Sequence, residues 1–406
     1  MGADTEPPGR RESLSAMEPL LIEDASRHRG KLNDLAFELI RLSAGFRRSL
    51  PPAMQPPLAN LVRAMNCYYS NLIEGHDTHP VDIERALKGD YSQDRKKRDL
   101  QLEAKAHIAV QEWIDQGGLP GNRAVSVEGI REIHRKFCEQ VPEDLLWAEN
   151  PETNHRERVI PGELRRLDVR VGQHVAISPG SLPRFLSRFE QVYGALGKAE
   201  GLMAGAAAHH RLLWMHPFLD GNGRVARLMS HAMLLSILDT GAVWSVARGL
   251  ARSVQEYKSL LSHCDNSRRN DLDGRGTLSE EALAEFTRFF LSTCIDQVRF
   301  MESLVQPDRL RARILVWANE EIVLGTLPTQ AVRILEAVLH RGELPRGDVD
   351  EIAGTGARQG RRILSGLLDR GVLASEGPRA PVHLAFPAEL AQRWMPGLFP
   401  DPPLTG

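Results

Sequence analysis

Apolar residues recur at three- and four-residue spacing over long stretches of this chain, the pattern of helices that bury one face. LNDLAFELIRLSAGF (32–46) and LANLVRAMNCYYSNLIEG (58–75) predict two long helices, with Pro51, Pro52, Pro56 and Pro57 punctuating the junction between them. Gly117, Gly118, Pro120 and Gly121 mark another break, after which VEGIREIHRKFCEQV (127–141) resumes the helical period. The texture changes between about 155 and 180. There Val169, Val171, Val175 and Ile177, β-branched and partly alternating between two Pro-Gly pairs, predict a short hairpin in a helical protein. Helical spacing then runs from 183 to about 305, interrupted near 262–277 by a polar, glycine-containing insert.

From about 328 the pattern is three short helices followed by a strand pair, ending in ASEGPRAPVHLAF (374–386). That order predicts a winged-helix-like module. The fold class expected is mainly α, with one small β-hairpin and a C-terminal winged-helix-like α+β module. The expected organisation is a disordered N-terminus (1–20), an N-terminal helical region (21–115), a central core (116–305), a linker helix (306–327) and the C-terminal module (328–406).

At 406 residues the chain is too long for one compact core. A formal net charge of −2 excludes a global field that steers the protein to nucleic acid or acidic membranes. Cys67, Cys138, Cys264 and Cys294 lie far apart and form no CxxC pair, so neither zinc nor a disulfide framework is indicated. The N-terminus has no apolar leader-like run and no stretch reaches membrane-spanning length. A cytoplasmic protein with no membrane partner is expected.

The chemistry concentrates in HPFLDGNGRVAR (216–227). Pro217 disfavours helical geometry at His216, so one helix ends there, and a Gly-Asn-Gly turn opens the next. Gly221 and Gly223 allow backbone amides to approach a ligand, and the free N–H groups of the following helix favour phosphate. Arg224 and Arg227 fall on neighbouring turns and can both reach polyphosphate oxygens. Asp220 can hold Mg²⁺ across two phosphates, and His216 is suited to take a proton from an attacking hydroxyl. This is the inventory of phosphoryl transfer.

These twelve residues resemble the Fic family signature, HPFx[DE]GNGRxxR, at every specified position. The resemblance implies a Fic-type helical bundle whose β-hairpin flap holds the target backbone, and a protein adenylyltransferase that moves AMP from ATP onto a Ser, Thr or Tyr hydroxyl. By the same resemblance His216 is the general base and Asp220 the Mg²⁺ ligand. Asn222, Arg224 and Arg227 then contact the phosphates. Upstream, Ser70-Asn71-Leu72-Ile73-Glu74-Gly75 resembles the inhibitory motif [ST]xxxE[GN] of one class of Fic proteins. Glu74 is then expected to pair with Arg227 and block the γ-phosphate position, and Gly75 to let the helix stop. Pro161–Arg165 with Val169–Val175 resembles the flap. Val243–Arg248 and Glu256-Tyr257-Lys258 resemble the walls of the adenine pocket, where Tyr257 is offered to the base.

Alternatives stay open at this stage. Within the fold they are removal of AMP from a modified protein and a different nucleotide donor. Outside the enzyme class stands a nucleotide-sensing, DNA-binding regulator. Partners expected are a protein target bearing an acceptor hydroxyl, the enzyme itself as a target, and a second copy in a homodimer. Arg358, Arg361 and Arg362 raise DNA binding by the C-terminal module, but Asp348, Asp350 and Glu351 nearby argue for protein contact first. Two lookalikes are set aside. The loop around Gly274 resembles an EF-hand but puts Arg269 in the first ligand position, and His209 and His210 have no visible third ligand for zinc.

Overall fold

The structure, a computed structural model, describes residues 12–149 and 155–400. The expected N-terminal disorder lies partly outside these residues. From Glu12 onward the segment is held instead: the Glu12 carboxylate accepts from Ser178 N (2.9 Å) and from the hydroxyls of Ser178 and Ser181 (both 2.7 Å). Met17 is fully buried, and the Pro19 carbonyl accepts from Arg211 Nη2 at 2.8 Å. A handful of buried side chains and backbone bonds thus overrides a polar, Pro-rich composition.

The first helices follow the apolar period. α1 (Arg29–Ser49) buries Leu32, Ala36, Leu39, Ser43 and Phe46 in one stripe. α2 (Gln55–Ile73) opens on Pro56 and Pro57, whose fixed φ and missing N–H suit a first helical turn. α3 (Pro80–Leu87) follows. α4 (Arg95–Asp115) is capped by the Asp94 carboxylate on Lys97 N at 3.0 Å, and α5 (Val127–Cys138) by the Ser126 hydroxyl on Gly129 N at 2.9 Å.

Two hairpins come next, where the sequence predicted one. β1 (Trp147–Glu149) pairs antiparallel with β2 (Arg156–Arg158), and β3 (Arg170–Val171) with β4 (His174–Val175). The first was missed because its strands are polar, exposed and only three residues long.

The centre of the bundle is α6 (Leu182–Gly194), α7 (Lys198–Met215) and α8 (Asn222–Leu238). α7 is buried on nearly every side, as befits a helix apolar all round, and packs closely on α8. α9 (Ala247–Arg252), α10 (Val254–His263) and α11 (Glu280–Val305) wrap this pair, α11 lying against α1.

After α12 (Pro307–Val323) come α13 (Ala331–Arg341), β5 (Glu343–Leu344), α14 (Val349–Ala353), α15 (Ala357–Asp369), β6 (Leu373–Ala374), β7 (Val382–Leu384) and α16 (Ala388–Trp394). The strands form one antiparallel sheet in the order β5-β7-β6. The protein is mainly α, as its periodicity predicts. Beyond α16 the tail returns to the N-terminal bundle: Tyr69 OH donates to the Leu398 carbonyl at 3.0 Å, and Phe399 meets Tyr68 edge to face at 5.7 Å.

Candidate active site

The loop between α7 and α8 is set by backbone geometry. His216 caps α7 in the left-handed region (φ 49, ψ 62), which costs a non-glycine residue and ends the helix before Pro217. Gly221 turns the chain again at φ 79, where a side chain would be strained. Asn222, the residue after Gly221, latches the loop. Its Oδ1 accepts from Phe218 N at 2.9 Å and its Nδ2 donates to the Phe218 carbonyl at 2.8 Å. One Nδ2 hydrogen is thereby used and the second remains available, as does the backbone N–H at the head of α8.

Arg165 is the residue that sequence reasoning left without a role of its own. Buried at 4% exposure, it donates through Nε to the His216 carbonyl (2.7 Å) and through Nη1 to the Leu167 carbonyl (2.7 Å). Nη2 reaches the Ile177 carbonyl at 2.5 Å. One guanidinium therefore pins the flap segment to the catalytic loop. Burial first, and the Arg165 charge second, push the His216 imidazole down to about 4. It is neutral at ordinary pH, the form that accepts a proton.

Helical spacing puts Ser70 and Glu74 on one face of α2, and the packing of α8 brings Arg227 to them. α2 ends at Ile73, Glu74 caps it, and Gly75 leaves at φ 87. Ser70 and Glu74 share a face and grip one guanidinium. Arg227 Nε donates to Ser70 Oγ at 2.8 Å, and Nη2 donates to the Ser70 carbonyl at 3.1 Å and to Glu74 Oε1 at 2.5 Å. Burial alone would raise the Glu74 carboxyl. Arg227, aided by Arg224 and Lys258, outweighs it and holds the group below the usual range. Gly223 belongs to the same arrangement, because a Cβ there would collide with Glu74 Oε1.

Arg224 is buried, stacks on Phe137 at 4.6 Å, and lies 3.3 Å from both Glu103 and Asp220. Its Nε has no hydrogen-bond partner. Asp220 is exposed beside the first turn of α8. A lone carboxylate here fits a hard cation that shares most of its ligands with phosphates, not one caged by protein. Among the described residues no group of three or more His, Cys, Asp or Glu could hold a metal ion alone.

Some of these residues open on a cleft of about 780 Å³, whose lining does not include Asp220, Asn222 or Arg224. Glu74, His216, Gly223 and Arg227 line one side, Val171 to His174 of the flap another, and Trp214, Tyr257, Lys258, Leu261 and Asp265 the remainder. His174 Nε2 donates to the Trp214 carbonyl at 2.8 Å, so the flap tip is anchored to α7. Tyr257 is 2% exposed, and its hydroxyl is taken by His209 Nε2 at 2.7 Å. Tyr257 therefore lines the cleft with its hydroxyl bonded to a core histidine. Val243–Arg248 is buried away from the cleft: Trp244 Nε1 donates to Ser43 Oγ at 3.0 Å, and Arg248 Nη2 to the Gly397 carbonyl at 2.7 Å. His209 and His210 are core groups, the latter 3.0 Å from Asp265. In the EF-hand lookalike, Asp273 caps α11 through Ser279 Oγ (2.9 Å) and Glu281 N (2.8 Å).

The helical bundle thus presents His216, Gly223 and Arg227 to a cleft edged by the β3–β4 hairpin. The Fic/DOC family model matches residues 124–234, from before α5 to within α8, so this central segment is similar to that family. The Protein adenylyltransferase Fic of Culex quinquefasciatus is 28% identical over 210 residues, 50% of this chain and 37% of that one. The Drosophila erecta protein of the same name is 27% identical over 170 residues, 41% of this chain and 31% of that one. The chain thus spans about a third of the length of these relatives. A crystal structure of a Fic family protein from Desulfovibrio desulfuricans G20 shares the fold with a TM-score of 0.52 at 16% identity, covering 90% of this chain and 98% of that one. Fic-1 from C. elegans has a TM-score of 0.50 at 15% identity, covering 69% and 74%. Among the described residues no helix is long and apolar enough to cross a membrane.

Proposed function

We propose that this protein transfers the AMP group of ATP to a Ser, Thr or Tyr hydroxyl of a protein, and that Glu74 restrains it. The observation that carries this reading is the meeting of Glu74 and Arg227 in the cleft that His216 lines. The acceptor oxygen attacks the α-phosphorus, the bond from that phosphorus to the bridging oxygen of the β-phosphate breaks, and pyrophosphate leaves. His216 Nε2 or Nδ1 takes the acceptor's proton as the new ester bond forms. Arg227, Arg224 and the amides of Gly223 and Asn222 hold the polyphosphate. Mg²⁺ held by Asp220 and phosphate oxygens would neutralise charge on the leaving group. With Glu74 on Arg227, an anion at that guanidinium meets a carboxylate of its own sign.

The deciding experiment is label transfer from α-³²P-ATP with Mg²⁺ by wild type, Glu74→Gly and Glu74→Gly/His216→Ala. Labelling of the enzyme or an added protein by Glu74→Gly alone is the expected result. Absence of labelling in all three would turn the reading toward another donor. Loss of label from a modified protein with wild type, but not with Glu74→Gly, would turn it toward AMP removal.

A further inference from the structure

The C-terminal module carries a surface that the transfer reaction does not use. α15 packs inward through Gly360, Ile363, Leu364 and Leu367, against α13, α14 and β6. Its opposite face exposes Arg358, Gln359, Arg361, Arg362 and Ser365. Several arginines elsewhere in and beside the module are paired: Arg341 with Asp348 at 3.4 Å, Arg370 with Glu321 at 3.2 Å, and Arg311 with Glu336. Arg358, Arg361 and Arg362 have no ion pair or hydrogen bond among the described residues, and nor does Arg379 on the loop between β6 and β7.

Of the three acidic neighbours that argued against a polyanion partner, Asp348 and Asp350 are engaged within the module and Glu351 stands exposed on α14. Asp348 is occupied by Arg341. Asp350 lies over Gly360 on the inward side of α15, where the missing Cβ makes room for its carboxylate. A hollow of about 480 Å³ separates α14, α15 and the β6–β7 loop, with Arg346, Arg361, Ser365 and Pro378 on its walls beside Asp350. An otherwise slightly acidic protein (net charge −2) therefore presents unpaired guanidinium groups on one helix and on the loop beside it.

We propose that this face binds duplex DNA, with α15 against the major groove and Arg379 on an adjacent phosphate. Arginine and glutamine on one helix face suit both the phosphates and the acceptor edges of guanine and adenine. This proposal is independent of the AMP-transfer reading, since α15 contributes nothing to the cleft.

Fluorescence anisotropy of the full chain on a short labelled duplex of mixed sequence tests it. About four neutralised phosphates predict that binding weakens about a hundredfold between about 50 and about 200 mM salt. The Arg358→Ala/Arg361→Ala/Arg362→Ala variant should bind more than about tenfold more weakly, with the salt slope reduced by about three. All three side chains are exposed, so its thermal midpoint should match wild type and show that the fold is intact. No duplex binding at about 50 mM salt, or unchanged binding by the folded triple variant, would overturn the proposal. Displacement of the duplex by polyglutamate at matched charge concentration would also overturn it, in favour of an acidic protein partner.

Discussion

Glu74 Oε1 lies 2.5 Å from Arg227 Nη2, and the same oxygen occupies the space that Gly223 leaves by having no side chain. The carboxylate at the end of α2 thus sits among the groups at the head of α8 that the proposed function assigns to phosphate. Because Glu74 is a helix cap followed by a glycine, a small shift of the end of α2 would move it off Arg227. Arg227 itself is anchored by Ser70 and stays.

Removing Arg227, itself 4% exposed, takes the main partner from the partly exposed Glu74 carboxylate. Arg227→Ala is expected to destabilise the fold by about 1–3 kcal/mol, below the usual range for a fully buried pair because Glu74 keeps partial solvent access. Glu74→Gln, which keeps shape and one hydrogen bond, should cost less. Urea denaturation of both variants checks the order.

The Glu74–Arg227 contact has a defined pH window. The folded carboxyl is held below its ordinary value of 4.5. Its stabilisation is therefore present above about 4.5 and lost as pH falls through the folded value. The difference in urea midpoint between wild type and Glu74→Gln should stay constant from about pH 8 to about pH 5.5 and close below about 4.5.

His216 titrates at about 4, so its base form predominates well below neutrality. For Glu74→Gly, kcat/KM for AMP transfer should stay flat from about pH 8 to about pH 5.5. It should fall about tenfold per pH unit only below the folded value. His216→Ala in that background should lower kcat by about 10²–10⁴. A rate that halves near pH 6.5 would mean that burial does not depress this imidazole.

His107 is fully buried, neither ring nitrogen has a hydrogen-bond partner, and burial pushes it down to about 3. A folded value below the ordinary 6.5 means that its neutral state costs stability as pH falls below 6.5, where the unfolded chain takes up the proton first. His107→Leu should therefore gain about 1 kcal/mol at pH 7 by removing unsatisfied polar atoms. The gain should grow by about 1.4 kcal/mol per unit below about 6.5. Thermal midpoints across pH measure it.

The C-terminal tail holds the helix that carries Glu74. Tyr69 OH donates to Leu398, Arg248 donates to Gly397, and Phe399 is 5% exposed against Tyr68. Phe399→Ala should cost about 3 kcal/mol as a core truncation. It should also raise AMP transfer above wild type by loosening α2, whereas a substitution on exposed α12, such as Val323→Ala, should not. Label transfer and melting of the two variants separate the effects.

Much of this protein was legible along the chain. The 3.6-residue period marked the long helices, because burying one face of a helix imposes that spacing on the sequence itself. His216, Asp220, Gly221, Gly223, Arg224 and Arg227 could be nominated from the chain because they stand in one contiguous stretch around a glycine turn that opens a helix. Even Ser70 and Glu74 could be paired, since i and i+4 share a helix face. What the chain did not reveal depends on who faces whom. Asn222 bonds back to Phe218, Tyr257 and His209 share a hydrogen bond, Arg165 ties the hairpin segment to His216, and the tail reaches Tyr69 across more than three hundred residues. Local spacing determines which helices form and which face is apolar. Only tertiary packing decides which donor meets which acceptor, because partners distant in sequence leave no periodic trace in either segment.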